Sequence, residues 1–445
     1  MPLPDLIEIV PLDKPVHAEI TVPGSKSITN RALILAALAD GEVTLTGALW
    51  SEDTQVMTEA LQDLGFQIEV ETDPEEFCNR TITVNGLGGK VPNGGTAEKP
   101  LELFVGNAGT AARFLAAFVC LGNGVYRLHG VPRMHERPQK ALFKALRELG
   151  YRVETEHGND RLPVAIEGAG PKRRGKCKVS IEQSSQFASA LLLCARAGGW
   201  KVEVVGENAE ESPYVWLTEN VLSAFEQFKI SSYPIEPDAS SASYFKAVGW
   251  LLAPHSTDAL KVVRVKEPAG ARLVQIDAMF SNFFRVANYI RPFGAEKDIT
   301  QISRMTDLAD SIMTAIILTP FASNFCKFTD LGRLRIQETE RVEALRAELT
   351  KCGTKVVEEG DTLTVYPSKL HGAEIETYND HRMAMCFAIL GLKVPGIKIK
   401  NPACVKKTFP NFFQKLATPP PKGLGATILD ATTGRKLAVE ELFAD

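Results

Sequence analysis

The sequence predicts an α/β (α+β) protein of two similar lobes, each built from three α-β-α-β-β repeats around buried helices. Two observations carry that expectation. Apolar residues recur at helical spacing in stretches that close on a glycine, and strand-like stretches of alternating apolar and polar residues follow them. The pattern then recurs six times along 445 residues, a length beyond one ordinary core. Repeats of this period cannot bury their own apolar faces and pack against their siblings.

The first repeat runs through a helix at Thr29–Ala39, stopped by Asp40-Gly41, a strand at Val43–Leu45, a helix at Glu52–Leu64 and strands at Phe66–Glu71 and Thr81–Val84. The second takes Gly109–Leu121, Gly124–Leu128, Pro138–Leu149, Tyr151–Thr155 and Leu162–Ile166. The third takes Ser185–Ala197, Lys201–Val205, Tyr214–Phe228 and Lys229–Ile235, and the fourth Ser241–Leu252, Ala259–Val265, Ala278–Phe293 and Ala295–Ile302. The fifth comprises Leu308–Ile317, Asn324–Thr329, Thr339–Cys352 and Lys355–Val365, and the sixth Asp380–Leu390, Ile397–Ile399 and Asn411–Leu416. The lobes divide near Glu236-Pro237-Asp238. Strand residues Ile7–Val10 and His17–Val22 are expected to pair into the second lobe, giving residues 23–237 in one lobe and 1–22 with 238–416 in the other. Residues 417–445 read as a tail opened by the linker Pro419-Pro420-Pro421-Lys422-Gly423, with a small hairpin over Gly425–Ala431 and Lys436–Val439.

A formal charge of −4 gives no concentrated basic face of the kind nucleic acid needs. The densest basic run, Lys172 to Lys178, lies among Gly and Pro residues and reads as a solvated loop. The eight cysteines show no C-x-x-C pair and no His at ligand spacing, which argues against zinc. Several fall within apolar runs, as buried free thiols do, and this usage fits a reducing cytoplasm. Met1–Val10 lacks the basic start of a signal peptide, and no apolar run approaches the roughly 20 residues of a membrane span.

Chemistry concentrates where helices begin. Pro23 to Arg31 is a small Gly-containing turn feeding a helix, and free N–H groups there attract anions. Lys26 adds a point charge and Arg31 a planar fork suited to carboxylate or phosphate. Gly106-Asn107-Ala108-Gly109-Thr110 to Arg113 is a second such turn; without a following Gly-Lys-Ser/Thr it is not a P-loop. Glu182 to Phe187, with Ser184, Ser185 and Gln186, offers neutral donors. Each turn alone reads equally as an ordinary capped helix; three in successive repeats should point to one end of the lobe. The other half carries charge at matching places: Asp310, Arg335 to Arg341, Tyr378 to Met385 and Lys406-Lys407.

Taken in order, Gly24-Ser25-Lys26-Ser27 with Arg31, Gly106 to Thr110, Glu136-Arg137-Pro138, Ser184-Ser185-Gln186, Asp238 to Ala242, Glu338-Thr339 with Arg341, Asn379 to Ala384 and Lys407 to Pro410 resemble the EPSP synthase (3-phosphoshikimate 1-carboxyvinyltransferase) family. The likeness spans about residues 7 to 416. It implies the enolpyruvyl-transferase fold, ligands in the cleft between lobes, and transfer of the enolpyruvyl group of phosphoenolpyruvate to the 5-hydroxyl of shikimate 3-phosphate, in the pathway to chorismate and aromatic amino acids. By the same resemblance Lys26, Ser27, Arg31, Ser184, Ser185, Gln186, Tyr214, Asp310, Arg333 and Gln337 hold shikimate 3-phosphate. Lys26, Gly109, Thr110, Arg137, Gln186, Glu338, Arg341, Arg382 and Lys407 hold phosphoenolpyruvate. Asp310 is the base, Glu338 the acid at the methylene carbon, and Lys26 touches both ligands. The resemblance implies no metal, no cofactor, no membrane and a monomer. Gly109 is the small residue expected of enzymes that glyphosate inhibits.

The chain departs from the family pattern at several positions. Gln337 stands where a Lys is usual and Arg333 where an Asn is usual, and the paired change suggests that Arg333 takes over part of the missing Lys's work. Trp216 replaces a common Asp, Glu211 stands where a Ser is expected beside Ser212, and Phe114 follows Arg113 where Pro is frequent. Loss of that Pro constraint points to intermediate glyphosate sensitivity. Two alternatives remain at this level: UDP-N-acetylglucosamine enolpyruvyl transferase, which carries a reactive Cys in a mobile loop, for which Cys78 and Cys120 are poor candidates, and a ligand-binding relative without turnover.

Overall fold

The computed structural model describes residues 3–14, 16–172, 174–206, 212–228, 230–252, 263–266, 274–287 and 300–444. The expectations at Arg173 and Glu211, and the parts of expected elements within 259–262, 288–293 and 295–299, lie outside the described residues. The chain divides into two compact units, Gly24–Glu236 and Met1–Pro23 with Pro237–Asp445.

Each unit is organised around three helices that are buried nearly all round, as helices apolar on every face must be. In Gly24–Glu236 these are Lys26–Leu38, Gly109–Phe118 and Ser185–Gly198. In the other unit they are Ala239–Leu252, Ile312–Leu318 and His381–Gly391. All ten residues of Gly109–Phe118 are buried, including Thr110 and Arg113. Amphipathic helices Glu52–Asp63, Lys140–Glu148 and Arg341–Lys351 cover the outside of the repeats.

The sheets show the repeat more clearly than the sequence does. Leu101–Phe104 pairs in parallel with Asn123–His129, which pairs antiparallel with Val164–Ala169, and that with Arg152–Thr155. Thr300–Ser303, Cys326–Thr329, Thr362–Val365 and Val356–Glu359 follow the same parallel, antiparallel, antiparallel order. So do Ser232–Pro234, Asp40–Leu49, Asn79–Leu87 and Ile68–Thr72. In the fourth such sheet Glu374–Ile375 and Ile397–Lys400 are joined by Leu6–Ile9 and Ile428–Asp430. Residues read as a tail therefore supply the outer strand of a sheet, with a bridge from Leu429 to Lys436. The remaining pairs are parallel two-stranded sheets, Lys176–Ser180 with Lys201–Val205 and Ala18–Ile20 with Val263–Val265.

Three differences from the sequence expectations have physical causes. The basic run is not all loop: Lys176–Ser180 is a strand in which Cys177 and Val179 are buried while Lys176 and Lys178 face solvent. The expected strand Lys229–Ile235 forms over Ser232–Pro234 and pairs not within its own repeat but in parallel with Asp40–Leu49, in the sheet of the first repeat. The expected helix Leu308–Ile317 is broken into a π-helical turn Arg304–Leu308, a 3-10 turn Ala309–Ser311 and the helix Ile312–Leu318, because Ala309 adopts φ 42°.

Candidate active site

In the Gly24–Glu236 unit the three turns singled out in the sequence converge. Gln186, in the first turn of Ser185–Gly198, accepts from Arg113 Nη1 at 2.5 Å and donates to Thr110 Oγ1 at 3.2 Å, tying two helix starts together. Arg31, on the first of the three helices, donates to Ser189 Oγ at 3.0 Å and Thr218 Oγ1 at 2.8 Å. It also reaches the carbonyls of Ser27 (2.7 Å) and Tyr214 (3.5 Å). Burial lowers its pKa to about 10 despite the neighbouring Tyr214. Lys26 is held by the buried Asp53 at 2.9 Å. Ser184 caps its helix by accepting from Gln186 N–H, and Ser185 is buried beside it. Arg137 donates to Asn107 O at 3.1 Å, and its guanidinium lies against Gly109.

The second unit assembles a charged network. Asp310 lies between Arg304 (3.0 Å) and Arg382 (3.2 Å). Burial opposes its ionisation, but Arg382, Arg304 and Arg341 override this and hold the carboxyl well below the usual range. Arg341 is fully buried and grips Asp380 through Nε (2.7 Å) and Nη2 (3.1 Å). The same carboxylate accepts from Arg382 N–H, so Asp380 is both helix cap and arginine anchor. Glu338 lies between Arg341 (3.0 Å) and Lys407 (3.3 Å), and Gln337 accepts from Arg341 Nη1. Arg382 further donates to Ser240 Oγ at 3.1 Å. Arg333 is buried in the 3-10 turn Gly332–Ile336. Asp380 thus joins two ion-paired groups, Asp310 with Arg382 and Glu338 with Arg341 and Lys407, through the Arg341 side chain and the Arg382 backbone N–H; the five residues come from four separate sequence segments.

The sequence reading did not assign Asp53, Arg113, Arg304 or Asp380 to the site. Asp53 and Asp380 look like ordinary helix-start acids, and only burial and their arginine or lysine partners distinguish them. Trp216 is 43 % exposed, and the side chain of Ser212 lies outside the described residues. All eight cysteines are buried and outside any disulfide, with Cys120 and Cys194 raised far above the ordinary thiol range by burial.

Two units of one repeat, with polar and charged residues at the starts of buried helices, define an enolpyruvyl-transferase fold. Solved structures share it: EPSP synthase from Acinetobacter baumannii superposes with TM-score 0.71 at 22 % identity, covering 95 % of this chain and 99 % of that one. The enolpyruvyl transferase NikO from Streptomyces tendae gives 0.66 at 17 %, covering 98 % and 99 %. The chain belongs to the EPSP synthase (3-phosphoshikimate 1-carboxyvinyltransferase) family, matching it over residues 11–416. Curated relatives named 3-phosphoshikimate 1-carboxyvinyltransferase include those of a Nostoc species, 38 % identical across 92 % of this chain and 98 % of the relative, and of Opitutus terrae, 38 % identical across 94 % and 98 %.

Proposed function

We propose that the chain transfers the enolpyruvyl group of phosphoenolpyruvate to the 5-hydroxyl of shikimate 3-phosphate and releases phosphate. One observation carries this reading: two carboxylates, Asp310 and Glu338, each lie between two cations in a single network. Such an arrangement holds anions close together without the repulsion they would otherwise feel in a dry site. It also supplies two proton-transfer groups at fixed places.

Glu338 protonates the methylene carbon of phosphoenolpyruvate while Asp310 takes the proton of the attacking hydroxyl. The new carbon–oxygen bond gives a tetrahedral centre. Its bond to the phosphate oxygen then breaks and phosphate leaves with the bonding pair, the methyl carbon returns a proton to the Glu338 carboxylate, and the double bond re-forms. Arg341, Arg382, Lys407, Arg137, Lys26 and Gln186 are assigned to phosphoenolpyruvate, with Gly109 and Thr110 beside it. Ser27, Arg31, Ser184, Ser185, Tyr214, Arg333 and Gln337 are assigned to shikimate 3-phosphate. We assign the reaction to the cytoplasm, a reading supported by eight buried cysteines outside any disulfide.

The deciding measurement is phosphate release with both substrates and with each alone. Release only with both, lost by about 10²-fold or more in Asp310→Asn and Glu338→Gln, supports the assignment. Binding of either substrate without turnover, or full turnover in both variants, overturns it.

A further inference from the structure

We propose that Asp277 is the positioning residue of Asp310: it fixes the turn that carries that carboxylate and sets the charge against which the carboxylate works. The proposal rests on the assignment of Asp310 as the proton acceptor made above.

The turn in question is not self-sustaining. Ala309, immediately before Asp310, has φ 42° and ψ −125°, a region that residues with a Cβ rarely occupy. Such strain persists only where the surroundings over-determine it. Two contacts do so. Ser311 Oγ donates back to Leu308 O at 2.6 Å, closing the turn on itself. Ser311 N–H donates to Asp277 Oδ1 at 2.7 Å, fixing the turn to another part of the chain.

Asp277 is itself anchored. It lies in the 3-10 turn Ile276–Ser281 and is only 7 % exposed. Two residues before it, Gln275 accepts from Ala239 N–H at 3.0 Å and donates to Pro237 O at 2.9 Å. The segment therefore links the start of the buried helix Ala239–Leu252 to the start of Ile312–Leu318. Asp310 is held on its carboxylate side by Arg304 and Arg382, and on its backbone side by Asp277.

The same geometry couples the charges. The charged groups acting on Asp277 are Asp310, Arg382 at the start of His381–Gly391, and Asp238 ahead of Ala239–Leu252; Arg304 is engaged by Asp310. Burial, and then the nearby Asp310, push the Asp277 carboxyl up to about 7. Near neutral pH its ionisation adds a negative charge beside a base that the arginines otherwise weaken.

The test uses Asp277→Ala, Asp277→Asn and Asp310→Asn in the full-length enzyme, with kcat and both KM values followed from pH 5.5 to 8.5. Misplacing a reacting group by about 1 Å costs on the order of 10²-fold. Asp277→Ala should therefore lower kcat by about that factor with both KM values within roughly threefold. Asp277→Asn keeps an acceptor for Ser311 N–H, so kcat should stay within about threefold of wild type, while the ionisation near pH 7 in the wild-type kcat profile disappears. If Asp277→Ala does not fold, the Asn profile decides alone. A wild-type kcat in Asp277→Ala, an Asn variant as impaired as the Ala variant, or an unchanged pH profile in Asp277→Asn overturns the proposal. Asp310→Asn separates the two failures: its retaining full kcat removes the assignment of Asp310 and the proposal with it. Its loss alongside unaffected Asp277 variants removes the positioning role alone.

Discussion

The guanidinium carbon of Arg31 lies 5.3 Å from the centre of the Phe114 ring, and both side chains are buried. A desolvated guanidinium is costly, and the ring face returns part of that cost as a cation–π contact worth about 0.5–2 kcal/mol. Phe114 thus does more than fill space where the family often has Pro. We expect Phe114→Leu to raise KM for shikimate 3-phosphate by roughly 3–10-fold with kcat nearly unchanged, as steady-state kinetics will show, and to lower Tm by a few degrees. An unchanged KM would mean that Thr218, Ser189 and Ser27 fix Arg31 without the ring.

Gly109 occupies a place with no room for a side chain. A Cβ there would lie 2.7 Å from Arg113 Nη1 and from Arg137 Nη2. Both are ends of flexible side chains, so the protein would fold, but the arginines would have to move. Arg113 would strain its bond to Gln186 and Arg137 its bond to Asn107. Overpacking of this kind costs about 1–3 kcal/mol. Gly109→Ala should raise KM for phosphoenolpyruvate on the order of tenfold, and the inhibition constant of glyphosate, taken to share that site, should rise in parallel. Kinetics with and without the inhibitor would test both; an increase in KM for shikimate 3-phosphate alone would count against the assignment.

The repeating pattern was legible because buried helices and their glycine stops leave strong periodic signals. Gly109–Phe118 and His381–Gly391 were found to within a few residues for that reason. The short strands Leu101–Phe104, Lys176–Ser180 and Glu374–Ile375 escaped, since so few residues cannot show a period, and in Lys176–Ser180 the lysines on the exposed face also resemble a loop. Of the candidate site, residues that carry a recognisable motif were readable. Asp53 and Asp277 were not, because what distinguishes them is a partner far away in sequence: Lys26 for Asp53 and Ser311 N–H for Asp277. Arg304 has its partner Asp310 only six residues on, but it carries no motif, and only its burial marks it.

Asp277 also makes stability depend on pH. Its folded pKa, about 7, is raised above its ordinary value of 3.8. The folded state therefore keeps its proton while the unfolded chain loses one, and stability declines as pH rises from about 4 to about 7. Removing the group removes that decline. Relative to wild type, Asp277→Asn should gain about 2–3 kcal/mol more at pH 8 than at pH 5, read from urea unfolding at each pH. Equal differences at the two pH values would show that the Asp277 carboxyl titrates normally in the folded state.

Gln337 stands where the family usually has Lys, and its carbonyl oxygen accepts from Arg341 Nη1. Arg341 is fully buried, and its remaining donors go to Asp380 at 2.7 and 3.1 Å and to Glu338 at 3.0 Å. Gln337 thus satisfies a buried donor that a lysine cannot, since an ammonium has no acceptor. A lysine there would also bring a second cation beside Arg341. Leaving a buried charged donor without its partner costs about 1–3 kcal/mol, and like-charge repulsion adds to that. Gln337→Lys should therefore raise KM for phosphoenolpyruvate about 5–20-fold, although it restores the residue common among relatives. Gln337→Met removes the acceptor without adding charge and should raise it less. Arg333 is buried on the turn that leads into Gln337. If it supplies the contact usually made by the lysine, Arg333→Ala should raise KM for shikimate 3-phosphate instead, leaving that for phosphoenolpyruvate unchanged. Steady-state kinetics on the three variants separates these effects. A wild-type KM for phosphoenolpyruvate in Gln337→Lys would show that Asp380 and Glu338 alone hold Arg341 in place.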